Sequence, residues 1–204
     1  MKEKEKIVSF SKDTFLKNGF YKMTMDEIAS GLHVSKKTIY KYFPSKNILV
    51  DSAVKIFRNN VKRKIKKIVS EQDNAILKIK ALSDFFAKLS LDVNEKMLYD
   101  LQTHRPDLWK KLDDFRANVI EEVWSDIIET GKSEKCIVDK PNDIIITIIL
   151  SSIRSVINPT FLINHSYSIK EAFNITFEII IFGILTEKGK KLYHKSILEN
   201  KKTK

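Results

Sequence analysis

Residues 24–46, TMDEIASGLHVSKKTIYKYFPSK, contain residues typical of the ends of two short helices and of a tight turn between them. Thr24 and Glu27 have the spacing of a capping box, in which each side chain bonds the backbone amide of the other residue. Ser35 is a second N-cap candidate, and an apolar stripe follows it. Only His33-Val34 remains for the turn. Because two helices joined so tightly must cross steeply, the second one can enter a DNA major groove, and the segment predicts a helix-turn-helix.

The second helix has a surface suited to DNA. If Ile39 and Phe43 face inward, lysine, threonine and tyrosine side chains project outward, and these types bond phosphates and base edges. The outward residues are Lys36, Lys37, Thr38, Tyr40 and Lys41. Ser45 is placed to cap a third helix that begins at Lys46, where free amides and a lysine suit one more phosphate. Taken alone, this segment also fits an ordinary helical hairpin with a solvated lysine face.

A longer set of motifs surrounds this segment. It consists of FLKNGF at 15–20, Thr24, Ile28-Ala29, Val34-Ser35 and TIYKYFPSK at 38–46. Together, over about residues 7–50, these motifs resemble the TetR family of bacterial transcriptional regulators, and their combination disfavours the simple hairpin. One departure is His33, where the family usually has glycine. That position often needs a positive φ, which histidine tolerates better than most residues, so we expect mild strain in an intact motif.

The resemblance implies a set of DNA contacts and a twofold assembly. The matching contact residues are Thr24, Lys36, Lys37, Thr38, Tyr40, Lys41, Tyr42 and Lys46. We expect Thr24, Tyr40 and Lys46 mainly on phosphates. Lys36, Lys37 and Thr38 are the candidates for base edges. In a homodimer the two reading helices would lie about 34–36 Å apart, or a small multiple of that, which requires a near-palindromic operator in double-stranded DNA.

The positive charge is confined to the N-terminal third of the chain. The net charge is +11, and residues 1–70 hold 17 Lys and Arg against 6 Asp and Glu, whereas the remainder is balanced. This segregation is what a phosphate-binding segment needs, and it would not follow from lysine serving solubility alone. The basic run at residues 62–67 also permits a weaker alternative, in which the protein binds an anionic membrane surface.

The rest of the sequence predicts an all-α fold with about nine helices in all. Glycine and proline are scarce, and apolar residues recur at helical spacing. We predict a three-helix DNA-binding domain at 1–50 and a helical ligand-binding and dimerisation domain at 51–204. We call the helix-turn-helix at 24–46 the reader. The other predicted helices are 5–18, 47–70, 74–92, 95–103, 106–130 with Gly131 as its stop, one from Pro141 interrupted at Asn158-Pro159, and one from Ser168 to Gly189.

The last two predicted helices are apolar on nearly all sides, more than one face of a small monomer can hide. The TetR resemblance implies that they pair with the same helices of a second copy in a four-helix bundle. Our candidates for this dimer interface are Ile148, Ser152, Phe173, Phe177, Ile180 and Ile184. The alternative is a monomeric core with two central helices.

Aromatic residues along the middle helices suggest where an effector would bind. The resemblance implies a pocket for a small molecule, here expected to be apolar or aromatic, whose binding changes the separation of the two readers. The candidates are Phe85, Phe86, Leu89, Tyr99, Trp109, Phe115 and Trp124. Ordinary core packing explains any one of them equally simply. Arg105 and Arg154 could meet an anionic group, or form surface ion pairs.

Other functions find little support in the sequence. The four histidines lack metal-ligand spacing, and neither a phosphate loop nor a nucleophile elbow is present, so we expect no enzyme and no cofactor. We expect a cytoplasmic protein without a membrane span. Cys136 is the single cysteine; Lys135 could lower its pKa and make it redox-active, although such a cysteine is usually inert. A DNA binder without ligand control, constitutive or of nucleoid type, is the main alternative function.

Overall fold

The computed structural model describes residues 2–202, and over this range it contains eleven α-helices and no β-strand longer than an isolated bridge. The all-α prediction is confirmed. The helices are α1 Glu3–Asn18, α2 Met25–Leu32, α3 Lys36–Tyr42, α4 Lys46–Ser70, α5 Ala75–Asp92, α6 Glu95–His104, α7 Pro106–Ser133, α8 Asn142–Val156, α9 Pro159–His165, α10 Ile169–Ile184 and α11 Glu187–Lys202.

Two helices were not expected, and both arise where an apolar pattern is broken. Asn158-Pro159 interrupts the chain after α8 as predicted, and Asn158 then caps the short helix α9 with its side chain. The helix predicted to run to Gly189 ends earlier, at Ile184, and Gly189 lies inside α11. Gly131 likewise does not end α7, which continues to Ser133. At both glycines the helical hydrogen bonds outweigh the weak helix propensity of the residue.

The chain forms two compact units. Unit 1 comprises Met1–Val61 and Asp92–Leu112. Within it α1 packs on α2 and α6, and α2 packs on α3. The core of unit 1 is closed by large apolar side chains that are almost completely buried: Phe15, Ile28, Ile39, Phe43 and Leu49. Unit 1 thus contains the predicted reader together with α6. The functional boundary after residue 50 stays a prediction.

Unit 2 comprises Lys62–Leu91 and Asp113–Lys204. Its helices α8 and α10 pack on one another. The deepest apolar side chains of unit 2 are Ile65, Ile79, Leu82, Ile127, Ile128, Ile149 and Ile181. The loop after α7 is tied to the end of α10 by an antiparallel bridge between Ile137 and Leu185, which fixes the start of α11.

Among the described residues, no single helix has both the length and the apolar character to cross a membrane. The pair α8 and α9 meets that test only when the two are taken together, by length and composition, and the pair is bent by 60° at the break.

Candidate nucleic-acid interface

The N-terminus of α2 is fixed by the predicted capping box. The Thr24 hydroxyl accepts from the Glu27 amide at 3.2 Å, and the Glu27 carboxylate accepts from the Thr24 amide at 2.6 Å. The same carboxylate also accepts from the Thr24 hydroxyl at 2.9 Å. These bonds hold the pKa of Glu27 below its usual value, and the bond from the Thr24 amide contributes most. The side chain of Thr24 is therefore ordered before any ligand arrives.

The turn between α2 and α3 is made by a residue in the left-handed region. His33 has φ 55° and ψ 40° and is the C-cap of α2, as the motif comparison predicted. Its amide donates to the carbonyl of Ser30 at 3.0 Å, and the next amide, that of Val34, donates to Ala29 at 3.0 Å. These bonds satisfy the last carbonyls of α2 and let the chain turn within two residues.

The reading helix α3 starts immediately after this turn. Ser35 is its N-cap and accepts from the Thr38 amide at 3.0 Å, which confirms the second predicted cap. The hydroxyls of Ser35 and Thr38 are also hydrogen-bonded to each other, at 2.8 Å. Ile39 is completely buried on the inner side of α3. The opposite side is therefore held at a defined orientation.

That opposite side is exposed and basic. Lys36, Lys37, Tyr40 and Lys41 are exposed, with Tyr40 41% accessible. The Lys36 ammonium already pairs with Asp26 on α2 at 2.7 Å, and this hydrogen bond raises the pKa of Lys36. Both partners are exposed, so the pair is weak and phosphates can compete for the lysine.

The last residues of the reader are partly engaged with other parts of unit 1. The Tyr42 hydroxyl donates to the Glu3 carboxylate on α1 at 2.9 Å, and the Lys41 ammonium lies 5.3 Å from the centre of the Tyr42 ring. Tyr42 is half-buried. Its hydroxyl can reach a phosphate only by leaving Glu3, so the structure makes it a less direct contact than Lys37 or Tyr40.

Lys46, at the start of α4, also has a partner in the protein. Its ammonium donates to the backbone carbonyl of Tyr21 at 2.6 Å, and partial burial lowers its pKa. The Tyr21 ring is stacked on His104, with ring centres 3.4 Å apart. Lys46 therefore holds the loop between α1 and α2 in place, whether or not it also contacts DNA.

Asp100 on α6 anchors the same loop and was not a sequence candidate. One carboxylate oxygen accepts from the amides of Phe20 and Tyr21, at 2.6 and 2.8 Å. Asp100 is only 9% exposed. Gly19 has φ 74°, and a β-carbon there would lie 2.6 Å from the Asp100 carboxylate, so both the backbone angle and the close approach require glycine. The glycine was visible in the sequence, but its partner 81 positions later was not.

Arg105 forms ion pairs, the simpler of its two predicted roles. Its guanidinium bonds Asp51 at 2.7 Å and Asp107 at 2.8 and 2.9 Å. The bond to Asp107 contributes most to raising the pKa of Arg105, and it lowers the pKa of Asp107 to about 2. Arg105 therefore links Asp51 on α4 to Asp107 on α7 through two ion pairs within unit 1.

The sequence of these N-terminal helices matches that of a known protein family. The family model described as bacterial regulatory proteins, tetR family, matches residues 7–53, which span α1, α2, α3 and the start of α4. The HTH-type transcriptional regulator YvaF of Bacillus subtilis is 25% identical over 176 residues, covering 84% of this chain and 90% of YvaF. Together these matches support a TetR-family transcriptional regulator.

Two further proteins match over part of the chain or in fold. The negative transcriptional regulator of the biofilm operon icaADBC in Staphylococcus aureus, IcaR, is 26% identical over 98 residues, 47% of this chain and 50% of IcaR. A TetR regulator from Chloroflexus aurantiacus superposes with a TM-score of 0.66 at 14% identity, over 89% of this chain and 96% of that structure. At that identity the likeness shows the fold alone.

The TetR-type dimer candidates differ in exposure. Ile148 on α8 is 54% exposed, and Ser152 and Phe173 are half-buried. Phe177, Ile180 and Ile184 on α10 are 9% exposed or less. The exposed apolar positions on these two helices are instead Ile144, Ile148, Ile175 and Ile179. Three of these four were missed as candidates because each helix contains an apolar run that reaches nearly all of its sides, so periodicity could not assign a face.

The aromatic pocket candidates fall into separate groups. Tyr99 and Trp109 lie in unit 1, and Tyr99 is 45% exposed. In unit 2, Phe86 contacts Phe85 and Phe173, whereas Trp124 is buried against Phe177. Phe115 and Leu89 are half-buried. Trp124 lines a small apolar cavity of about 10 Å³, the room of one water molecule, with Ile149, Ile153, Ile157, Phe173, Thr176, Phe177 and Ile180.

The structure disfavours a redox role for Cys136 and a membrane-binding role for the basic run of α4. Cys136 is buried, and burial raises the pKa of its thiol, which is opposite to the lowering that Lys135 could have caused and agrees with the usual inert cysteine. In the basic run of α4, Lys62 and Lys66 both pair with Glu122, at 3.2 and 2.7 Å. This run is therefore partly neutralised within unit 2, which weakens the membrane-surface alternative.

Proposed function

We propose that this TetR-family regulator is a homodimeric repressor that binds a palindromic operator through α3 and is released by a small molecule bound in unit 2. The observation that carries the DNA-binding part is the exposed face of α3. It presents Lys37, Tyr40 and Lys41 from a helix that is capped at Ser35 and buried at Ile39. Because α3 is already ordered, binding does not have to order it.

Within this proposal the contacts divide by exposure and existing partners. Lys37, Tyr40 and Lys41 bind DNA first, since they are exposed. Lys36 reaches DNA by exchanging Asp26 for a phosphate or a base edge. Thr38 and Thr24 are already in capping bonds and act mainly by orienting the helix ends. Tyr42 and Lys46 contribute less than the resemblance implies, because Glu3 and the Tyr21 carbonyl occupy them.

The dimer is supported by the apolar face of α8 and α10. Ile144, Ile148, Ile175 and Ile179 are 54%, 54%, 49% and 68% exposed, on two helices that pack together. Each helix carries two of them four residues apart, on one side of the helix, and such exposed apolar pairs are unfavourable in water and typical of an interface. A second copy of the same pair would cover them, and Ser152, Phe173 and the buried Phe177, Ile180 and Ile184 then support that face from within the chain.

Repression and ligand control have separate support. The partial relative IcaR is a negative regulator by its description, which favours repression here. Ligand control rests on the aromatic lining of unit 2 around Trp124 and Phe177. A DNA binder without ligand control remains the second candidate. The two differ in whether any small molecule lowers operator affinity.

The first experiment is selection of random duplex DNA by the purified protein, followed by binding measurements on the recovered site. We expect a palindromic motif. The double variant Lys37→Ala, Tyr40→Ala should weaken binding to it by about 10- to 1000-fold and reduce the slope of affinity against salt, whereas exposed Lys88→Ala should stay within about twofold. Recovery of no motif, with binding that only fades as salt rises, would replace the repressor by a non-specific DNA binder.

The second experiment tests the dimer through Ile179→Asp. Since Ile179 is 68% exposed, the charge should leave the fold intact but prevent association. We expect a monomer in sedimentation, with circular dichroism unchanged and operator affinity reduced at least tenfold. A stable dimer of this variant would move the interface away from α8 and α10.

A further inference from the structure

The first turn of α1 lies against the C-terminal end of the reading helix. The Tyr42 hydroxyl, at the last residue of α3, donates to the Glu3 carboxylate at 2.9 Å. The ammonium of the next residue, Lys4, lies 5.7 Å from the centre of the Phe43 ring. Phe43 is 1% exposed, so this ring is a fixed part of the core. Two adjacent side chains of α1 therefore contact the end of α3 within unit 1.

The Tyr42 hydroxyl can donate to only one acceptor at a time. It has a single hydrogen, and the Glu3 carboxylate accepts it. A backbone phosphate of an operator needs the same hydrogen, so the carboxylate and the phosphate compete for it. A carboxylate that stays beside a bound phosphate is also repelled by it, because both are negatively charged. Both effects make Glu3 unfavourable for DNA binding at this position.

The lysines on either side of this contact are exposed. Lys4 belongs to α1, and Lys41 belongs to α3, where its ammonium lies 5.3 Å from the centre of the Tyr42 ring. Among the side chains that the structure describes, residues 2–198, neither lysine forms an ion pair, unlike Lys36 with Asp26. Each can therefore bind a phosphate without first leaving a carboxylate.

We propose that the first turn of α1 is part of the operator interface, where Lys4 binds a backbone phosphate next to Tyr42 and Glu3 opposes that phosphate. The inference rests on operator binding through α3, proposed above, and adds residues outside the helix-turn-helix to it. Binding exchanges the bond from Tyr42 to Glu3 for a bond to the phosphate, while Lys4 neutralises the phosphate and releases a counterion. Because phosphates carry no sequence information, this contact sets affinity and orientation but not the choice of bases.

The test measures the affinity of the full chain for its selected operator at several salt concentrations, by fluorescence anisotropy. Lys4→Gln should lower the affinity about threefold or more and reduce the slope of log affinity against log salt by about 0.9 for each half-site. Glu3→Gln should raise the affinity about threefold or more, a gain that damage to the fold cannot produce. A smaller loss with Lys4→Gln, or a smaller gain with Glu3→Gln, would overturn the inference.

Two matched controls separate this contact from the general effect of charge. Lys6→Gln removes the same charge as Lys4→Gln, but two residues along α1, where a side chain does not face that of Lys4. Glu5→Gln removes the same charge as Glu3→Gln, and Glu5 accepts from the backbone amide of Lys2 at 3.1 Å. Each control should stay within about twofold of the native chain. Controls that match their partner variants would show a long-range field and overturn the assigned contact.

Tyr42→Phe tests the competition for the hydroxyl itself. In this background no hydroxyl is released when Glu3 is replaced, and only the repulsion between carboxylate and phosphate remains. The gain from Glu3→Gln should therefore fall to about half of its value or less. An undiminished gain would overturn the competition, and with it the role assigned to Glu3.

The same variants separate this inference from the proposed function. If the double variant Lys37→Ala, Tyr40→Ala weakens operator binding while Lys4→Gln does not, the reader is supported and the contact of α1 is overturned. If the selection recovers no motif, the variants are measured on a random duplex, where a phosphate contact still operates. Opposite effects of Lys4→Gln and Glu3→Gln on that duplex would support the contact of α1 although the specific operator had failed.

Discussion

The reader helix α3 and the helix pair α8 and α10 leave opposite kinds of side chain exposed. On α3 the exposed residues are lysines and a tyrosine, and one of them, Lys36, is already bonded to Asp26 within unit 1. On α8 and α10 the exposed residues include four isoleucines. The first surface is stable in water and suits a polyanion, whereas the second is unfavourable in water and suits a copy of itself. Exposure alone thus does not indicate function; the chemistry of what is exposed does.

The sharpest test of this comparison uses two adjacent isoleucines on α10. Ile180 is 7% exposed and Ile179 is 68% exposed. Ile180→Asp places a carboxylate in the core and should lower the free energy of unfolding by about 4 kcal/mol or more. Ile179→Asp, measured on the monomer, should change it by less than about 0.5 kcal/mol. Urea denaturation of both variants checks this, and similar losses would mean that both residues are core.

The second test measures how much the hydrogen bonds of Asp100 contribute to the stability of unit 1. Asp100→Ala leaves the amides of Phe20 and Tyr21 without their acceptor, and we expect a loss of about 2–4 kcal/mol in the free energy of unfolding. Asp100→Asn keeps an oxygen acceptor and should lose only about 1 kcal/mol. Exposed Asp92→Ala serves as the control. If Asp100→Ala cost no more than the control, the loop between α1 and α2 would not depend on α6.

The smallest effect concerns the turn before the reader. His33 has φ 55°, so His33→Gly should raise the free energy of unfolding by about 0.5–1 kcal/mol by removing the strain of a β-carbon there. His33→Val should lower it by about 1–2 kcal/mol, because a branched side chain resists the left-handed region. Thermal denaturation measures both. Destabilisation by glycine would show that the imidazole itself makes a contact that holds the turn.

The parts of the fold that could be predicted from the sequence depend on near neighbours. The caps at Thr24 and Ser35 and the left-handed residue His33 each involve partners within five positions, so their patterns are visible in a short window. The interruption at Asn158-Pro159 is equally local, since proline has no amide hydrogen to donate to the preceding helical turn.

The parts that could not be predicted depend on distant partners or on an ambiguous pattern. Asp100 bonds amides 79 and 80 residues earlier, and nothing near it in sequence indicates this. On α10 residues 179–182 form a continuous apolar run, so the period could not separate buried Ile180 from exposed Ile179. The burial of Cys136 also depends on a distant part of the chain, because α11 packs against it: a β-carbon on Gly189 would overlap the Cys136 carbonyl.

The burial of Cys136 makes the native chain a ready background for site-specific labelling. It is the only cysteine in the sequence, it is 2% exposed, and its raised pKa keeps the thiol protonated and slow to alkylate. A cysteine placed at an exposed position such as Lys22 or Lys88 would therefore take up a maleimide or nitroxide alone. Distances between two such labels could then be followed by spin-label spectroscopy as operator or effector is added, without first removing a native residue.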